Sequence, residues 1–244
     1  MSPGPVALLG SGEFLPWTEP VDRTLLDAAT GGDRVLIVPT ASAPEGDAVF
    51  GSWGDRGVEH YSSLGVPAEV VPLRTREDAD RSELVSALDR ASLVFLSGGN
   101  PAYLASTLRD TAWWAALLER FTSGTAIAGC SAGAAALPER APDTAVSGLG
   151  PELWRPGLGF ADAAVIGPHW DALDGYVPGM TAAITGTIAL GERLVAIDEE
   201  TAIVGDGETW TVQGRGGVHV FEQARWRSFA AGRRLRLALI PASG

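Results

Sequence analysis

A serine between two glycines, a histidine behind a proline and three consecutive acidic residues are the groups in this chain whose types and spacing could do covalent chemistry. The serine lies in Gly129-Cys130-Ser131-Ala132-Gly133, after the apolar run Thr125-Ala126-Ile127-Ala128 and before an alanine-rich stretch. The first run predicts a buried strand and the second a helix, so Ser131 stands at a strand-to-helix bend. Only small neighbours fit around such a bend, and its central side chain stands clear of the sheet. The helix beyond it aims free N–H groups at the same spot, where a developing oxyanion would be stabilised. These are the requirements of a serine nucleophile. Cys130 is off-centre in the Gly-x-Ser-x-Gly register and reads as a small packing residue.

A serine hydroxyl needs a base, and the base an orienting acid. Three histidines are available. His60, mid-helix between Glu59 and Tyr61, reads as a solvated surface residue. His219, in the alternating Val218-His219-Val220-Phe221, reads as structural. His169 follows the apolar run Ala163-Ala164-Val165-Ile166-Gly167 and Pro168, which biases Gly167 toward extended geometry. It therefore falls at a strand end, like Ser131, and is the expected base. The buried run Leu194-Val195-Ala196-Ile197 delivers the acid, a rigidly held carboxylate being preferred. That leaves Asp198, Glu199 and Glu200 open.

The elements that must position these groups alternate between strand and helix. Strands are expected at Val6-Ala7-Leu8-Leu9, Arg34 to Pro39, Glu69 to Leu73 and Leu93-Val94-Phe95-Leu96. Helices are expected at Thr24 to Ala29, Ala48 to Leu64, Asp80 to Arg90, Tyr103 to Arg109 and Thr111 to Phe121, with Gly51, Gly54 and Gly57 weakening the second. Continuous hydrophobicity in the strands argues burial on both faces, as in a doubly wound, mostly parallel α/β sheet flanked by helices. Ligands of such sheets bind beyond the carboxyl ends of the strands, where both the Gly98-Gly99-Asn100 turn and Ser131 fall. Gly10-Ser11-Gly12-Glu13, at the end of the first strand, reads as an ordinary βα turn. Glu139 to Gly159 is rich in Pro and Gly and predicts an irregular lobe, and Thr181 to Leu190 a helix. From Leu194 onward short β-like runs separated by turns predict a small antiparallel C-terminal extension. The whole, residues 1–244, reads as a single α/β domain with residues 200–244 as its β-rich part.

Composition narrows the chemistry. Hydrophobic residues make up 45% and charged residues 20%, the texture of an ordinary globular protein. Thirty acidic residues oppose 18 basic ones with no basic stripe, so neither nucleic acid nor an anionic membrane is an expected partner. All the basic residues are arginine. The absence of lysine excludes a Schiff-base lysine, a Ser-Lys dyad and a Walker-type phosphate loop. One cysteine forms neither an intrachain disulfide nor a thiolate metal cluster. No cofactor motif is visible. Met1-Ser2-Pro3-Gly4-Pro5 lacks the pattern of a signal peptide, so a cytoplasmic enzyme is expected.

Gly129 to Ala134, Gly98-Gly99-Asn100, Pro168-His169 followed by an aromatic, and Ile197-Asp198-Glu199 before Thr201-Ala202 together resemble the cyanophycinase and aspartyl dipeptidase (peptidase E) family. The resemblance runs from about residue 5 to residue 222, with the motifs in the family's order. It implies a class I glutamine amidotransferase-like fold and a serine peptidase, with Ser131 as nucleophile, His169 as general base and Glu199 as orienting acid. It also implies backbone N–H groups of Gly99 and Ala132 as the oxyanion hole. Asn100 is then either a substrate contact or simply a helix N-cap.

The resemblance departs at specificity. The family's substrates contain aspartate, and cyanophycinase is arginine-rich after its histidine. Here that segment is Trp170-Asp171-Ala172-Leu173-Asp174-Gly175-Tyr176, with two acids and no arginine. Repulsion of an anionic side chain predicts a neutral or cationic substrate, with Asp171 near it and Trp170 or Trp154 as an apolar wall. The leading expectation is a serine hydrolase cleaving a small peptide or amide, in a chain that also forms a homodimer. The alternatives are a catalytically silent binding or sensing protein on this fold, and cysteine chemistry at Cys130.

Overall fold

The computed structural model describes residues 2–146 and 148–240. The strands are β1 (Val6–Leu9), β2 (Arg34–Val38), β3 (Ala68–Val70), β4 (Ala91–Leu96), β5 (Ala126–Cys130), β6 (Arg140–Pro142), β7 (Trp154–Pro156), β8 (Val165–Gly167), β9 (Arg193–Ile197), β10 (Thr201–Gly205), β11 (Thr209–Gly214), β12 (Gly217–Glu222), β13 (Arg225–Ala230) and β14 (Arg234–Arg236). Eight of them form one sheet in the order β14-β11-β10-β1-β5-β4-β2-β3. From β1 to β3 neighbouring strands are parallel, and from β1 to β14 they are antiparallel. A second sheet, β13-β12-β9-β8, stands beside it, and β6 pairs with β7 in a short ribbon within the irregular lobe.

Period-two alternation divides the parallel strands between two cores. Leu8, Leu36, Val94 and Ile127 face one side with Trp113 and Leu117, whereas Leu9, Ile37, Phe95 and Ala128 face the other with Leu25 and Tyr61. All of these are essentially inaccessible. Each large apolar side chain among them contributes about 1.5–3 kcal/mol of burial. The continuous hydrophobicity of these runs is the signature of a sheet covered on both faces.

Several boundaries differ from the sequence-based expectation, each for a local reason. The first long helix spans Glu19–Ala28, beginning well before Thr24, because Pro20 sits in its first turn, where the missing N–H is not needed. The strand expected at 69–73 stops at Val70, ahead of Pro72, which cannot donate to a ladder. Asp47–Ser63 is an unbroken helix despite its glycines. A Cβ at Gly54 would come within 2.7 Å of Val70 and one at Gly57 within 2.9 Å of Ile37, so these positions let the helix lie close on the sheet. The C-terminal antiparallel strands are present, but not as one appendage. β10, β11 and β14 extend the main sheet, while β12 and β13 join β8 and β9. No described helix is long and apolar enough to cross a membrane.

Candidate active site

The carboxyl ends of β1, β4 and β5 open on the same edge of the sheet, as parallel pairing requires. β5 ends at Cys130, and Ser131 follows in a strained conformation, φ 51° and ψ −115°. A side chain at Gly129 would strike the Gly133 backbone, and one at Gly133 the Leu96 carbonyl. The two glycines are thus the space the bend folds into. The Ser131 amide donates to the Leu9 carbonyl at 3.1 Å, which ties the bend to β1. Beyond it the helix is one turn long, Ala132–Ala135, and shorter than expected.

The second sheet supplies the partners. β8 and β9 run parallel, so their ends converge as well. His169 also has a positive φ, 54°, and the Trp170 amide donates to the Ile197 carbonyl at 3.0 Å, fixing the turn that carries the ring. Ser131 Oγ lies 2.9 Å from His169 Nε2, and His169 Nδ1 lies 2.8 Å from Glu199 Oε1. A hydroxyl, an imidazole and a carboxylate linked in this order can pass the serine proton to the ring while the carboxylate stabilises the resulting cation.

The three acids that sequence left open are sorted by their partners. Asp198 turns away, accepting from the Gly217 amide at 2.8 Å and facing His219 Nε2 at 3.1 Å. Glu200 pairs with Arg215 at 2.6 Å. Glu199 alone of the three meets His169. Its carboxyl is held below the ordinary glutamate range, first by the hydrogen bond to His169 and then by one from the Tyr176 hydroxyl. Partial burial opposes both.

Tyr176 was not singled out by sequence. Its hydroxyl donates to Glu199 Oε1 at 2.8 Å although the residue is 64% exposed. Because Glu199's value is depressed on folding, the stability that its ionisation contributes is present above the ordinary glutamate range and lost as pH falls through the lowered value. Tyr176→Phe removes one of the two hydrogen bonds that depress it, so protonation of Glu199 shifts to higher pH. Turnover falls by about 3- to 10-fold, the effect of one solvent-exposed hydrogen bond to a charged group. Carboxyl NMR titration alongside a kcat–pH profile checks both.

Gly99 takes φ 139°, and a Cβ there would collide with the backbone of Ala41 and Ser42. Among the described residues, the Gly99 and Ala132 amides donate to no other backbone or side-chain group, and both residues border the cavity beside Ser131. Underneath lies Glu13, only 6% exposed. Its carboxylate accepts from the Gly98 amide at 2.9 Å and from the Cys130 thiol at 3.0 Å, so it braces the turn next to Gly99. The turn at 10–13 is thus more than a connection. An acid so soon after the apolar run of the first strand was the available signal.

Other expectations are corrected, but of the two readings open for Asn100 the helix cap is the one present. Its Oδ1 accepts from the Tyr103 amide at 3.1 Å at the start of the helix Pro101–Leu108, and its Nδ2 donates to Asp143 at 3.0 Å. It faces a separate hollow with Tyr103 and Arg155, because both ends of the amide are already bonded there. Trp170 packs on Trp226, ring centroids 5.6 Å apart, and borders an outer cleft rather than the cavity at Ser131. Trp154 lies under the Arg140 guanidinium, also outside that cavity. Asp171 accepts from the Glu199 amide at 2.8 Å and so holds the turn that carries Glu199. His60 is not solvated: its Nε2 lies 2.8 Å from Asp22 Oδ2, with only 8% of its side chain exposed.

The fold and this constellation define a class, the serine-type peptidases. The chain belongs to peptidase family S51, whose model matches residues 6–213. It is 27% identical to the cyanophycinase of Nostoc sp. (strain PCC 7120), over 89% of this chain and 73% of that one. It is also 27% identical to the cyanophycinase of Synechococcus elongatus, over 90% and 68%. Among solved structures, a peptidase from an acI-B1 actinobacterium superposes with a TM-score of 0.88 at 30% identity, covering 96% of this chain and 97% of that one. A putative peptidase E from Listeria monocytogenes EGD-e shares the fold, with a TM-score of 0.62 at 17% identity over 87% and 99%.

Proposed function

We propose that this peptidase cleaves small peptides or amides through an acyl-enzyme on Ser131. His169 removes the hydroxyl proton as Ser131 attacks the scissile carbonyl, and Glu199 holds the ring in the Nδ1–H tautomer. The tetrahedral oxyanion is received by the amides of Gly99 and Ala132. His169 then gives its proton to the leaving amine, the acyl group stays as an ester on Oγ, and water, deprotonated by the same ring, releases the acid. The observation that carries this reading is the continuous chain of contacts, 2.9 Å from Ser131 Oγ to His169 Nε2 and 2.8 Å from His169 Nδ1 to Glu199. A fluorophosphonate tests it: mass spectrometry should find the adduct on Ser131, and an unlabelled Ser131 in folded protein would end the reading.

Cysteine chemistry is disfavoured by the surroundings of Cys130. Its side chain is fully buried, and burial with the adjacent Glu13 carboxylate pushes the thiol well above its usual range, so little thiolate forms. Iodoacetamide should leave Cys130 unmodified in the folded protein and activity intact. Alkylation of Cys130 in parallel with loss of turnover would reverse this assignment.

A further inference from the structure

We infer that the site selects an apolar side chain next to the scissile bond, an inference that rests on the serine-hydrolase reading above. The cavity beside Ser131 has a volume of about 340 Å³. Its walls are Val146 and Leu153 from the irregular lobe, Leu173, Met180 and Ile184 from the two short helices Leu173–Tyr176 and Met180–Gly186, and Val177 from the connection between them. Among the described residues, the only polar side chain besides Ser131 and His169 that borders it is Thr144, and no aspartate, glutamate or arginine does.

The carboxylates expected to shape specificity are occupied elsewhere. Asp171 is bonded to the Glu199 amide, and Asp174 caps the next helix through Thr181, with contacts of 2.9 Å to its amide and 2.6 Å to its hydroxyl. Arg155 lies against Asp143 at 3.6 Å, in the separate hollow with Asn100. A carboxylate or guanidinium entering the cavity beside Ser131 would shed water and meet no charged partner. A leucine, methionine or phenylalanine side chain would exchange water for apolar contact on several sides. That exchange favours it over alanine by about 10- to 150-fold in kcat/KM, the ratio expected for burying one such side chain.

The test is a panel of dipeptides carrying Leu, Phe, Met, Ala, Asp or Arg in turn at the first and the second position. Each is read both by turnover and by protection of Ser131 against fluorophosphonate labelling, so slowly cleaved peptides still report. The expected result is that, at one of the two positions, the large apolar residues exceed Ala by 10-fold or more and Asp and Arg fall below it. Val177 is 38% exposed and tolerates a long polar side chain. Val177→Arg should lower kcat/KM for the apolar substrates by about 10-fold and improve the Asp peptide relative to them. A preference for Asp or Arg, or no discrimination at either position, would overturn the inference while leaving the nucleophile assignment intact. Failure of the fluorophosphonate to label wild-type Ser131 would instead overturn the underlying reading, and this inference with it.

Discussion

Ser131→Ala should lower kcat by about 10⁴- to 10⁶-fold with KM little changed. In the proposed mechanism the substitution deletes the only atom that forms the bond to substrate, while the amides of Gly99 and Ala132 and the apolar cavity remain. Those surviving features stabilise the transition state for direct attack by water, which is why the expected loss is finite. Ser131 is held at φ 51° by the surrounding turn, and alanine at that position inherits the same backbone strain. The fold should survive, as circular dichroism and an unchanged melting temperature would verify. A variant that keeps a tenth or more of wild-type turnover would remove Ser131 from the chemistry.

His169→Ala should cost as much, and the double variant Ser131→Ala, His169→Ala no more than the worse single one. The reason is that the two side chains act as a unit: the hydroxyl is a poor nucleophile unless the ring 2.9 Å away accepts its proton, and the ring has nothing to deprotonate once the hydroxyl is gone. Residues that contribute separately would multiply their losses. Steady-state kinetics on the three proteins discriminates the cases. Multiplicative losses would mean that the Ser131–His169 contact is incidental to turnover.

How far the sequence could be read depended on whether the deciding contact was local. Gly129-x-Ser131-x-Gly133 carried its meaning in five residues, because the collision that demands glycine at 129 is with its near neighbour Gly133. The strand ends that bring Ser131 and His169 into reach were also legible, since buried parallel strands announce themselves as unbroken apolar runs. The acid was not. Asp198, Glu199 and Glu200 are chemically equivalent in the chain, and what separates them is that Asp198 meets His219 while Glu200 meets Arg215. Only the family resemblance singled out Glu199 beforehand. His60 misled for the same reason: its helix pattern looks solvent-facing, but the partner that buries it, Asp22, lies on another helix. In the sequence Trp170 reads as an apolar wall, and Asn100 as either a substrate contact or a helix cap, because they lie in or beside motifs. Adjacency in sequence says nothing about which way a side chain turns, and here each is committed to a neighbour of its own.

β1 has a consequence for how the molecule is made. Four residues long, it is wedged between β5 on one side and β10 on the other. Its end holds both halves of the proposed triad, Leu9 receiving the Ser131 amide and Gly10 donating to Thr201 just past Glu199. A strand synthesised before both its neighbours must therefore stay unpaired until residues 126–130 and then 201–205 arrive. Such distant pairings are slow to close. Activity should thus be among the last properties to appear during refolding, after most of the helical signal has returned, and the nascent chain spends that interval with an apolar edge for chaperones to guard.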